Sequence, residues 1–418
     1  MRLRACLLAI AVVVPVRAFA QTPPAAPPPA EAAPPPPAVV VTPAAPPPAA
    51  VVITPPPAPP AAPAAATPSP KFVFGGLVDT YYMYNFTPPS GSNSLQFPNP
   101  APVGVGRAFD INANSMNLAL AKLTMNASLD VVSLQLDMGY GQTGTIINNA
   151  VDPNPSLMGP GVGPSFLLEQ AFGEISLPGN LTVDFGKFTT TAGAEVIEAN
   201  KNWLYSRSLL FNAIPLLHTG VRANLKINDM VTVQGSVVNG WNNDPDLNAW
   251  KTIGLSATIT ASPAFSLIGT TYFGKEGQPQ MSPAGATPGD LRFLLDIVAA
   301  YTVNSNFGLN LNIDYIKAFD DIAADYQVGG SLMGRYVVSD HINFAARGEY
   351  LATHIDAAAA TLSQGEVTVM MGIDVGKNFE LRPEVRADFA GKFGGVNVLE
   401  NGTKSNAVTG TLAALTWF

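Results

Sequence analysis

The chain has 418 residues, 47% hydrophobic and 12% charged, with 39 Pro, 37 Gly and one Cys. That length accommodates one large domain or two ordinary ones, and a formal net charge of −8 argues against a nucleic-acid partner. The lone cysteine, Cys6, excludes a disulfide framework.

Met1 to Ala20 carries Arg2 and Arg4, an apolar run from Leu7 to Val14, and Ala18-Phe19-Ala20 before Gln21, the layout of a secretory signal peptide. The run is too short to span a bilayer. Cys6 precedes it instead of following it, which argues against a lipoprotein anchor. Removing Arg2, Arg4 and Arg17 leaves 19 of the 22 basic residues against 30 acids, a mature charge of −11. From Gln21 to Pro70 the chain is almost wholly Pro and Ala, with Glu31 its only charge. Proline fixes φ and lacks a donor, so this predicts a semi-rigid polyproline II segment without a core. At about 3.1 Å per residue, ~50 residues reach on the order of 150 Å, enough to contact peptidoglycan beneath an outer membrane.

From Phe72 onward, alternation of apolar with polar or small side chains predicts sixteen strands. In order these are 72 to 85, 112 to 125, 130 to 140, 167 to 177, 181 to 191, 216 to 227, 230 to 241 and 250 to 261. The second half continues with 265 to 275, 290 to 303, 306 to 319, 325 to 338, 341 to 353, 365 to 376, 379 to 391 and 405 to 418. Connections after even-numbered strands are tight, as at Pro178-Gly179-Asn180 and Asn304-Ser305, and those after odd-numbered strands are mostly long. Strands with one greasy and one wet face, joined in that rhythm, predict an all-β transmembrane antiparallel barrel over 71–418, preceded by the signal peptide (1–20) and the disordered periplasmic linker (21–70). A soluble β-sandwich also alternates, but its strands rarely exceed ten residues. The chain ends on an aromatic, Phe418, which resembles the terminal signal by which the barrel assembly machinery recognises its clients.

Alternation assigns an inward, wet face. It holds His218, Arg222, Lys226, Arg292, Arg335, Arg347, Arg382 and Arg386, with Asp137, Glu174, Asp184, Asp296, Asp314, Glu349, Glu366, Asp374, Glu380, Glu384 and Asp388. Opposed acid and base across a narrow pore would sort solutes by charge and dipole. Mutual neutralisation, such as Arg382 with Glu366 or Glu384, is the plainer reading of the same rows. Acids outnumber bases among them, which predicts weak cation preference. Lys122 and Lys187 break the alternation of their strands and receive no face.

Gly186-Lys187-Phe188, Gly193-Ala194-Glu195-Val196-Ile197 and Tyr205-Ser206-Arg207-Ser208-Leu209-Leu210-Phe211 form a distinctive run with Ile214-Pro215, His218-Thr219-Gly220-Val221-Arg222 and Val238-Asn239-Gly240-Trp241-Asn242. Through these residues the chain resembles the beta-barrel porin-2, OmpL-like outer-membrane family, densely between about 165 and 245. The resemblance implies a passive diffusion channel with poorly defined solutes. Residues 192 to 215 are too polar for a lipid-facing strand and too apolar for a solvated loop. They predict a segment folded inward to narrow the lumen, with Glu195, Glu198, Tyr205 and Arg207 as its constriction residues. Arg207 also joins the predicted pore lining.

No catalytic constellation emerges. The three histidines, His218, His341 and His354, do not stand at metal-ligand spacing, no Ser is placed beside a His for an outer-membrane hydrolase, and no cofactor is implied. Expected partners are outer-membrane lipid, the assembly machinery, peptidoglycan through residues 21–70, and further copies in a homotrimer. Two functions fit: a porin for small hydrophilic solutes and ions, or a structural protein tethered to the cell wall through its Pro/Ala rod, with a plugged barrel.

Overall fold

A computed structural model describes residues 69–87, 107–151, 165–246, 248–276, 290–318, 326–355, 360–393, 395–400 and 402–418. The expected signal peptide, and the Pro/Ala segment up to residue 68, lie outside these residues. The strands are β1 (Lys71–Asn85), β2 (Ser115–Leu129), β3 (Val132–Tyr140), β4 (Phe166–Leu177), β5 (Leu181–Thr189), β6 (Leu217–Lys226), β7 (Val231–Val238) and β8 (Thr252–Ser262). They continue as β9 (Phe265–Glu276), β10 (Asp290–Thr302), β11 (Phe307–Ala318), β12 (Tyr326–Ser339), β13 (Ile342–Ile355), β14 (Ala360–Asp374), β15 (Phe379–Ala390) and β16 (Asn406–Trp417). Each pairs antiparallel with its neighbours in sequence, and β1 pairs with β16, closing a sixteen-stranded barrel. Every predicted strand is present within a few residues. Among the described residues no helix is long and apolar enough to cross a membrane.

Closure removes every sheet edge, so the backbone is satisfied from strand to strand, which is what lipid demands. The outward positions carry the exposed apolar side chains: Val221 and Leu225 on β6, Leu311, Ile313 and Tyr315 on β11, Val367 and Val369 on β14. The turn after β4 places Gly179 at φ 84° and Asn180 at φ 60°, conformations that favour these residue types in a tight turn. β7 stops at Val238, earlier than predicted, because Gly240 (φ 142°) and Asn242 (φ 58°) bend the chain out of the ladder. At the seam, Phe418 and Gly76 exchange backbone hydrogen bonds of 3.2 and 3.1 Å. A Cβ on Gly76 would stand 2.4 Å from the Phe418 ring.

Two register shifts explain what alternation could not place. Asp79 pairs with Leu120 while Thr80 pairs with Leu118, so Ala119 is an extra residue in β2. Met116 and Leu118 face out before this bulge, Ala119 and Leu120 are both buried, and Lys122 emerges on the inner face. Likewise Asp137 pairs with Gln170 and Met138 with Leu168, which inserts Glu169 inward at 0% exposure. Lys187 lies instead on the parity of exposed Phe185 and pairs with Asp244 in the loop after β7 at 3.2 Å.

Candidate functional site

The chain between β5 and β6 turns into the barrel. Gly193, at φ 90°, makes the turn, in a position where a Cβ would strike Ile214 at 2.5 Å. A short 3₁₀ helix, Ala199–Lys201, follows, and then α2 (Leu209–Ala213). Ser208 caps α2, its hydroxyl accepting from the Phe211 amide at 3.0 Å. Ile197, Leu204, Leu209, Leu210, Phe211 and Ile214 are all buried. They pack on inward apolar positions of the wall: Leu204 on Met333, Ala345 and Met370, Leu209 and Leu210 on Leu351, and Ile214 on Tyr272, Leu294 and Ile316. α1 (Gln142–Val151), in the connection after β3, contributes Ile147 to the cluster that holds Ile197 and Phe211.

An irregular backbone inside a barrel needs partners for its amides and carbonyls. The inward charges supply them. Glu384 accepts from the Tyr205 and Ser206 amides at 2.8 and 3.1 Å, and Glu349 from Leu209 at 2.6 Å. Arg382 donates to the Ala199 carbonyl at 2.7 Å, Arg347 to Ser206 at 2.8 Å and Arg386 to Arg207 at 2.6 Å. Tyr205 donates from its hydroxyl to Asp79 at 3.0 Å. These side chains also neutralise one another: Arg347 pairs with Glu366 at 2.6 Å, Arg386 with Asp388 at 2.6 Å and Arg382 with Glu380 at 2.8 Å. The pairing of Arg382 is therefore with Glu380, not with Glu366 or Glu384.

A second anchor lies across the barrel. Lys122 Nζ stands 2.9 Å from Asp137, 2.8 Å from Glu169 and 2.7 Å from Glu198. Lys201 adds a second ammonium 2.6 Å from Glu198. Burial by itself raises the Glu198 carboxyl, but Lys122 and Lys201 outweigh it and hold the pKa down at about 2. The three carboxylates offer oxygens within 4.8 Å of one another, a metal-like cage, and the Lys122 ammonium is its cation.

The predicted site residues thus divide. Arg347, Glu349, Glu366, Glu380, Arg382, Glu384, Arg386 and Asp388 point inward as alternation assigned them, yet each is at most 8% exposed: the segment bonds Arg347, Glu349, Arg382, Glu384 and Arg386, and Glu366, Glu380 and Asp388 pair with those arginines. Glu195, Glu198, Tyr205 and Arg207 are buried within the segment itself. Arg207 departs from the pore-lining expectation: at 4% exposure it turns back onto the Val196, Ile197 and Tyr205 carbonyls, with its guanidinium 5.3 Å from the Phe109 ring centroid. Asp296 is buried beside Asn312, and His218 is buried, stacked on Tyr272 at 4.5 Å with Nδ1 2.9 Å from the Gly240 carbonyl. Arg222, Arg292, Arg335 and Asp374 stay partly exposed and Lys226 is exposed. Strand-pattern reasoning missed Asp79, Lys122 and Glu169. The bulges hid the latter two, and only a bulge-tolerant alternation would have found them.

The segment packs on β9 to β16 and β1, and through Ile197, Phe211 and Glu198 also on β2 and β4, while the inward Asn224, Gln234 and Ser256 of β6 to β8 stay partly exposed. A cavity of about 260 Å³ remains between it and β4 and β5, lined by Gln170, Thr189, Thr191, Glu195, Glu198 and Lys201 among others. A second, about 170 Å³, lies towards β9 to β12 beside Trp203, Ser266 and Asn310. Glu195 and Lys201 border both.

The sequence profile of the beta-barrel porin-2, OmpL-like family matches residues 71–418. No curated protein matches the chain. Among solved structures, an anion-selective porin from Comamonas acidovorans superposes with a TM-score of 0.55 at 11% identity, over 84% of this chain and 100% of that one. Salmonella typhi OmpF, in complex with daunomycin, gives 0.54 at 11% identity over 83% and 97%. The trimer form of OmpT, an outer membrane protein of Vibrio cholerae, gives 0.51 at 11% identity over 84% and 100%. At such identities these likenesses speak for the fold alone.

Proposed function

The chain belongs to the beta-barrel porin-2, OmpL-like family, and from that premise we propose how this outer-membrane porin passes small hydrophilic solutes and ions. Passive diffusion runs between residues 192–215 and the β5 to β8 part of the wall. The observation that carries this is the uneven cover of the wall: the charged rows of β13 to β15 are buried while inward Arg222, Asn224, Gln234 and Ser256 on β6 to β8 stay partly exposed. The segment is the constriction, Glu195, Glu198, Tyr205 and Arg207 fix its shape, and Arg222, Lys226, Arg292, Arg335 and Asp374 meet the water. Residues 1–20 direct export and are removed, residues 21–70 span towards the cell wall, and the barrel assembles as a trimer within outer-membrane lipid after delivery by the assembly machinery.

Planar-bilayer conductance of folded protein tests this. Stepwise ion conductance is expected, and it should rise when residues 194–213 are replaced by a short Gly/Ser linker. The buried network also favours a second reading, a cell-wall anchor whose barrel the segment plugs. Silence from the intact protein, with conductance only after replacement of the segment, would select it.

A further inference from the structure

The less covered wall carries a feature that the charge rows conceal. Thr182, Asn224, Gln234, Ser256 and Thr270 stand opposite one another in register across β5 to β9, all on the inner face. Side-chain hydrogen bonds join them in two runs, Thr182-Asn224-Gln234 and Ser256-Thr270. Asn224 donates to the Thr182 hydroxyl at 3.3 Å, Gln234 to the Asn224 carbonyl at 2.7 Å, and Ser256 and Thr270 share a 3.0 Å hydrogen bond. Thr191, at the root of the inward segment, donates to Gln234 at 3.1 Å and joins the belt to the constriction. Every member is neutral; Thr182, Asn224, Gln234 and Ser256 stay partly exposed and offer both donors and acceptors, while Thr270 is buried and donates to the Thr191 carbonyl at 3.3 Å.

Most charges on the same wall are matched. Arg222 pairs with Asp184 at 2.7 Å and Lys226 with Asp229 at 2.7 Å, and on the facing segment Lys201 pairs with Glu198 at 2.6 Å; Glu174, in register with Asp184, and Glu276, buried on β9 against Thr252 and the Trp241 amide, are in none of these pairs. An ion entering between belt and segment sheds water and finds few unpaired counter-charges to replace it. A sugar or polyol exchanges its water for hydroxyls and amides of the same hydrogen-bonding type. We infer that this belt makes the passage selective for uncharged polyhydroxylated solutes over charged solutes of equal size. The inference rests on the porin reading above.

Liposome swelling distinguishes the two. Wild-type proteoliposomes should admit arabinose and glucose faster than gluconate or glucosamine. Gln234→Leu and Ser256→Val, which keep bulk and remove hydrogen bonds, should slow the neutral sugars about fivefold while ion conductance changes less than about twofold. Thr260→Val, outside the belt on the same face of β8, should leave sugar entry unchanged, as a check on folding. Conducting protein with equal entry of neutral and charged solutes, or belt variants that slow both equally, overturns the belt proposal alone. Absence of both swelling and conductance overturns the porin reading and this inference with it.

Discussion

Arg347 on β13 and Glu195 on the inward segment meet at 2.8 Å, both buried, and Arg347 continues to Glu366 on β14 at 2.6 Å. A wall strand and a loop residue 152 positions away therefore share one guanidinium. Desolvating such a pair consumes most of its Coulombic gain, so its worth lies in what happens when one member is lost.

Arg347→Met should loosen the segment. Three carboxylates, Glu195, Glu349 and Glu366, would lose their shared cation, and such losses cost about 3–5 kcal/mol. The expected result is larger, noisier single-channel conductance and a lower temperature for the heat-induced gel shift. A variant indistinguishable from wild type in both would show that the segment is held by its apolar contacts.

Lys122→Met should exchange an internal cation for an external one. Asp137, Glu169 and Glu198 would keep oxygens within 4.8 Å of one another with Lys201, on Glu198, as the remaining neighbouring cation, geometry suited to a hard divalent ion. Calcium should raise the unfolding temperature of the variant and not that of wild type. Equal calcium response in both proteins would sink the prediction.

The seam predicts an interacting pair. Gly76→Leu should lower folding yield because its side chain meets the Phe418 ring, and Phe418→Ala should recover part of it. Removing Trp417 and Phe418 together should reduce both membrane insertion in cells and stability in detergent, since Trp417 pairs with Leu77 and Phe418 with the Gly76 backbone. Normal outer-membrane levels of the truncated chain would refute a role in assembly.

Arg222 and Arg207 should separate in function. Arg222→Ala removes a partly exposed cation near the passage and should shift the reversal potential in a salt gradient towards cation preference. Arg207→Ala should instead disturb the segment, whose carbonyls it holds, and broaden conductance without a consistent change of selectivity. A larger selectivity shift from Arg207→Ala would invert the assignment.

Strand count, order and inward faces were legible because alternation is a local property of each strand, and Glu380, Arg382, Glu384, Arg386 and Asp388 do share one face of β15. What covers that face is not local. Arg386 reads as a lumen charge until Arg207, 179 positions earlier, is seen to place its carbonyl 2.6 Å away. Lys122 and Glu169 were hidden for another reason: one additional residue in a ladder reverses the parity of all that follow, and Ala119 carries no mark of being that residue.

The inward segment also orders events in time. Its anchors come from both ends of the barrel: Tyr205 reaches back 126 positions to Asp79, and Ser206 reaches forward 178 to Glu384. β1 and β15 become near neighbours only once β16 lies between them and the ring is complete. The segment is therefore a late passenger, unable to dock while the sheet is an open ribbon, and its many sequence-distant contacts predict slow final consolidation. Until then its carboxylates and guanidinia remain hydrated, so a half-assembled sheet carries a wet, charged middle that disfavours premature burial in lipid.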